Sequence, residues 1–155
     1  MVGNIQAEIK QGKPLTPEQE VLLTLERTAD AFQRKISEVF KDYGLSATQY
    51  NVMRILRGAG KDGLPCGAIA ERMVTRDPDI TRLLDRLDKM GFIIRERGLK
   101  DRRVVTTRIT EEGLKILKQL DKPVQELGLA LVKNLSRPQM QQLVELLDLA
   151  RSSAV

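Results

Sequence analysis

The chain has 155 residues, 41% of them hydrophobic and 30% charged, with a net charge of +5 and a pI near 9.5; this apolar share supports a buried core, excludes a disordered tail and leaves a basic balance that suits a polyanionic partner. One cysteine, Cys66, and no histidine exclude an internal disulfide framework and any histidine-based triad, proton shuttle or zinc site. The opening MVGNIQAEIK lacks the layout of a secretory leader, no run approaches the roughly 18 apolar residues of a membrane helix, and no phosphate loop or dinucleotide fingerprint occurs, so a cytoplasmic protein with no membrane association, cofactor or enzymatic activity is expected.

Three helix starts share one signature, a Ser or Thr that caps backbone N–H groups and a Gln three residues on that reaches back: Thr16 with Gln19, Ser46 with Gln49, and Ser136 with Gln139. Pro17 occupies the first helical position, where its missing N–H costs nothing. From there Val21, Leu22, Leu25, Ala29, Phe32, Ile36, Val39 and Phe40 recur at steps of three and four, predicting one long amphipathic helix to about Tyr43-Gly44. Ser46 opens a second helix carrying Tyr50, Met53, Ile55 and Leu56, broken by the Gly58-to-Gly63 stretch. A third, short helix runs from about Cys66 to Met73. Asp77-Pro78 then predicts a new start, with Asp77 as cap and Pro78 first in the helix; Ile80, Leu83, Leu84, Leu87 and Met90 form its apolar stripe, and Gly91 stops it. Its other face presents Thr81, Arg82, Asp85, Arg86 and Lys89.

After Gly91 the pattern becomes strand-like over Phe92–Arg97 and again over Val104–Ile109, with a glycine-containing loop between them, which predicts a hairpin. Thr110 can cap the next helix, through Leu114, Leu117, Leu120, Val124, Leu127, Leu131 and Val132, with a kink at Pro123. A last helix follows Ser136, with Met140, Leu143, Val144 and Leu147 on its apolar side.

Helix, turn, helix, hairpin is the order of a winged helix-turn-helix. A recognition helix must bury one face and offer long polar side chains on another, and residues 78–90 have that division. A charge stripe on one helix is most often only a solvated face, but the hairpin adds weight. Between Arg95 and Arg108 stand six basic residues, Arg95, Arg97, Lys100, Arg102, Arg103 and Arg108, against Glu96 and Asp101, a surplus of four where the whole chain carries +5. A basic loop after a helix-turn-helix can reach the minor groove or flanking phosphates, releasing counterions.

Three segments resemble the MarR (multiple antibiotic resistance regulator) family over roughly residues 16–150. Leu45-Ser46-Ala47-Thr48-Gln49-Tyr50-Asn51-Val52 is similar to the lead-in of the family's second helix, Thr81 to Gly91 to its recognition helix, and Asp101-Arg102-Arg103 with Ile109-Thr110 to its wing. The resemblance implies a mainly α fold with a small β-hairpin wing: a single domain, 1–155, in which 46–110 is the winged helix-turn-helix reader and 16–44 and 111–150 are dimerisation helices. It implies a homodimeric, DNA-binding transcription regulator acting as a repressor on a near-palindromic operator, with Thr81, Arg82, Arg86, Lys89, Lys100, Arg102 and Arg103 on DNA, Arg103 in the minor groove and Asp101 bracing the wing. A small aromatic or phenolic anion bound between the dimer helices and the reader is implied by the same analogy, with no pocket residue named by spacing.

One stretch departs from the family pattern. Asp77-Pro78-Asp79 puts two carboxylates where small, hydroxyl or basic residues are usual; Asp77 can cap while Asp79 complements the helix dipole, or Asp79 can accept from a cytosine amine. Cys66 opens a helix, where a thiolate could gain stability and act as a redox sensor, but it has no second cysteine as resolver and reads as a residue of packing or surface chemistry. A reading from another class is a helical dimerisation adaptor whose basic loop serves solubility; it predicts no salt-dependent DNA binding.

Overall fold

The computed structural model describes residues 4–77, 79–98, 101 and 103–154. Seven helices and three strands follow in the order α1 (Ile5–Glu8), α2 (Pro17–Lys41), α3 (Ala47–Ala59), β1 (Leu64–Pro65), α4 (Cys66–Arg72), α5 (Ile80–Lys89), β2 (Ile93–Arg97), β3 (Val105–Ile109), α6 (Glu111–Leu131) and α7 (Arg137–Ser152). A 3₁₀ turn, Gly60–Asp62, links α3 to β1.

All three capping boxes form. The side chains of Thr16, Ser46 and Ser136 accept the backbone N–H of Gln19, Gln49 and Gln139, and each glutamine accepts the cap residue's own N–H at 2.8–3.0 Å. Two donors that a helix start leaves unpaired are thereby satisfied at each site. Thr110 does two jobs: its hydroxyl accepts from Gly113 at the start of α6 and donates to the Gly91 carbonyl at 2.7 Å, fixing α6 against the end of α5.

The core belongs to the reader. Val52, Met53 and Leu56 of α3, Ile69 of α4, Leu83, Leu84 and Leu87 of α5, and Ile93 of β2 are buried together, joined by Phe40 from α2 and by Leu117 and Leu120 from α6. Outside it, Val21 and Leu22 of α2, Leu129 of α6, and Leu143, Val144, Leu146 and Leu149 of α7 are exposed, and α7 buries no residue.

The mainly helical architecture with a β wing agrees with the expectation from sequence, with three differences of detail. The hairpin is part of a three-stranded antiparallel sheet of order β1-β3-β2, because Leu64 and Pro65 pair with Thr107 and Thr106. An N-terminal turn of helix, α1, is capped by Asn4 and seats the buried Ile5. Helix α6 runs through Pro123 as one element, as expected. Finally, α5 starts at Ile80 with Asp79 as its cap, rather than at Pro78 with Asp77; Asp79 is held in a non-helical conformation, φ −130° and ψ 60°, and its Oδ1 accepts the Arg82 N–H at 3.1 Å. Asp77 instead accepts the Asp79 N–H at 2.8 Å, so the two carboxylates cap in series. Pro78 lies outside the described residues. Among the described residues, no helix is long and apolar enough to cross a membrane.

Candidate nucleic-acid interface

Helix α5 is divided as a reading helix must be. Leu83, Leu84 and Leu87 are buried, while Arg82, Arg86 and Lys89, at steps of four and three, stand exposed with Thr81 beside them. Helical geometry puts such residues on one face, so long cationic side chains project from a surface braced by the core behind it.

Asp85 lies on that face between Thr81 and Lys89, as its grouping with the outward residues expects, and Asp88 flanks it. Both are half-buried, and both meet Arg95 of β2: the guanidinium donates to Asp85 and lies 3.4 Å from Asp88. Burial pulls the Arg95 pKa down, but the hydrogen bonds and charges of Asp85 and then Asp88 outweigh it and hold the group above the ordinary arginine value. Arg95 therefore joins wing to helix.

The wing's charge is accordingly less free than the sequence count. Arg108 pairs with Glu96 across the ladder, in the register that sets Ile94 against Arg108 and Glu96 against Thr106. Arg97 and Arg103 are exposed. At the tip, the Asp101 carboxylate accepts the Arg103 N–H at 2.9 Å, the Asp101 carbonyl accepts from Val104, and Gly98 donates to the Val104 carbonyl at 2.8 Å. A side chain on Gly98 would meet the Asp101 carbonyl at 2.8 Å, so the turn is closed around a glycine. Lys100 and Arg102 lie outside the described residues.

Two features escaped the sequence reading. The turn between α4 and α5 is held from α3, where Asn51 Oδ1 accepts the Val74 N–H at 2.9 Å. Next to it a cavity of about 310 Å³ opens between α2, α3, this turn and α6, lined among others by Ile36, Phe40, Tyr50, Asn51, Met73 and Leu127. Phe40 and Tyr50 stack in its wall with ring centroids 4.5 Å apart. Cys66 is half-buried against the core.

Residues 34–120, more than half of the chain, match the family model described as transcriptional regulator SarA/Rot. The chain is 38% identical to a MarR transcription factor from Planctomyces limnophilus, over 88% of this chain and 99% of that one, with a TM-score of 0.69. It is 25% identical to a mutant MarR from E. coli complexed with operator DNA, over 82% and 90% of the two chains, with a TM-score of 0.74. Among curated relatives, the HTH-type transcriptional repressor MdtR of Bacillus subtilis (strain 168) is 31% identical over 91 residues, 59% of this chain and 57% of that one. The chain spans about half the length of the curated relatives it matches, 44% to 57%. Matched by the SarA/Rot model across its reader and covering a MarR transcription factor almost end to end, the chain belongs to the MarR family of DNA-binding, winged helix-turn-helix transcriptional regulators.

Proposed function

We propose that this protein is a cytoplasmic homodimer that binds a near-palindromic operator as a repressor and is released by a small ligand. The observation that carries the reading is the division of α5, with Leu83, Leu84 and Leu87 in the core and Arg82, Arg86 and Lys89 outside, next to a wing that carries exposed Arg97 and Arg103. In this reading Thr81, Arg82, Arg86 and Lys89 enter the major groove, and Lys100, Arg102 and Arg103 reach phosphates and the minor groove. Asp101 braces the tip for them. The bare apolar faces of α2 and α7 support dimerisation, since leaving Leu22, Leu143, Val144, Leu146 and Leu149 in water wastes burial. The ligand's place is the cavity between α2, α3 and α6, which lies against the turn that leads into α5.

The test separates two kinds of contact. Arg103→Ala should weaken operator and unrelated duplex by similar factors and lower the salt slope by about one counterion. Arg82→Ala should cost about 1–3 kcal/mol on the operator and much less on random DNA, if it meets a guanine edge. Binding to both duplexes at several salt concentrations reads both effects. An adaptor with no DNA function would show no measurable change for either variant, and that result would overturn the proposal.

A further inference from the structure

Among the described residues, the lining of the cavity behind the reader is uncharged. Every residue lining it is neutral, from Gln33 and Phe40 through Tyr50 and Asn51 to Thr75 and Leu131, and the chain has no histidine to bring a switchable charge. An anion deep in this space would lose part of its hydration and meet no cation among the described lining residues, which is the unfavourable half of an ion pair without the favourable half. The few polar groups present, on Gln33, Thr48, Tyr50, Asn51 and Thr75, suit the orientation of a neutral molecule in a mostly apolar pocket. Phe40 and Tyr50, stacked on each other, both line the wall and give it an aromatic surface for another ring to pack against. At about 310 Å³ the space lies at the small end of ligand pockets, enough for one or two fused rings.

Asn51 supplies the polar handle. Its Oδ1 is engaged by the Val74 N–H, and among the described residues its amide NH₂ donates to no other group. That leaves a donor in the cavity wall on the same side chain that holds the turn before α5. We propose that the cavity selects an uncharged, flat aromatic ligand whose hydrogen-bond acceptor engages Asn51, in place of the aromatic anion that the family resemblance implies; this rests on the ligand reading of the cavity given above.

The probes are naphthalene-2-carboxamide and naphthalene-2-carboxylate, nearly the same shape and differing in charge at pH 7. Calorimetric titration into the full-length protein should show the carboxamide binding at least about tenfold more tightly than the carboxylate. Gly128→Leu, at a lining position where an added Cβ meets no atom within 4 Å, should obstruct the cavity and weaken carboxamide binding about tenfold or more, with the thermal midpoint kept or raised. Asn51→Asp retains an acceptor for Val74 but loses the donor, and should weaken the carboxamide about tenfold or more. Equal or tighter binding of the carboxylate overturns the charge selection and leaves the cavity as a ligand site. Carboxamide affinity unchanged in Gly128→Leu overturns the location, and unchanged affinity in Asn51→Asp overturns the role of Asn51. No binding of either probe at millimolar concentration overturns the ligand reading itself together with this inference.

Discussion

Arg95 on β2 donates to the Asp85 carboxylate on α5, and the same guanidinium lies within 3.4 Å of Asp88 one turn further on. One guanidinium thereby ties the wing to the reading helix. The raised Arg95 pKa contributes stability that is complete below the ordinary arginine value and lost only as pH climbs through the raised one, so Arg95 should add no pH dependence between about pH 5 and 9.

A double-mutant cycle of Arg95→Ala and Asp85→Ala measures the clamp. Asp85 is 45% exposed, so screening limits the coupling in folding to about 0.5–1 kcal/mol. Operator binding should suffer more than stability, because Arg95→Ala frees the wing from α5 and leaves Asp85 and Asp88 unneutralised beside the reading face. Denaturant unfolding and duplex anisotropy read the two quantities. Equal losses in both would reduce Arg95 to a surface ion pair.

The exposed faces of α2 and α7 predict a mass by light scattering of twice the 17.5 kDa of the chain at micromolar concentration. Leu146→Glu should lower it toward the monomer and reduce helicity with it. A folded wild-type monomer would remove the dimer from the model.

Gly113 sits in the first turn of α6, where an added Cβ would meet the Phe92 carbonyl at 2.4 Å and Ile109 Cγ1 at 2.7 Å. That carbonyl already accepts from Thr110 and cannot easily yield. Alanine is the better helix former by about 1 kcal/mol, but overpacking against fixed backbone should win and Gly113→Ala should lose about 1–3 kcal/mol. Gly67→Ala in α4, with open space around its Cβ, should instead gain up to about 1 kcal/mol. Thermal unfolding of the two variants should move in opposite directions.

Asp79 can be tested as a cap separately from any contact to bases. Asparagine caps nearly as well, so Asp79→Asn should keep stability within a few tenths of a kcal/mol, whereas Asp79→Ala should cost about 1 kcal/mol. If capping is its whole role, Asp79→Asn also keeps the operator preference in a selection from random duplexes. A changed base preference at one position would instead assign Asp79 to readout.

Local chemistry is what the sequence displays well. Thr16/Gln19, Ser46/Gln49 and Ser136/Gln139 are three residues apart, so their caps could be read before any packing was known. The four residues of α1 and the two of β1 are too short to show a period. The start of α5 shifted because Asp77 and Asp79 are both competent caps, and the choice depends on backbone conformation at Asp79. Arg95 and Arg108 could be counted but not paired, since their carboxylates lie seven to twelve residues away and meet them only through the fold. The cavity draws on α2, α3, α6 and the turn after α4, segments that no local pattern connects.

The order β1-β3-β2 has one more consequence, for association of the wing with other chains. Its outer strands are the places where a foreign strand could add, and each is defended differently. β1 is two residues long and ends in Pro65, which has no N–H to donate, while β2 carries Arg95, Glu96 and Arg97 in succession. A protein that exposes Ile94, Val104 and Val105 on a projecting hairpin is thereby protected from edge-to-edge aggregation.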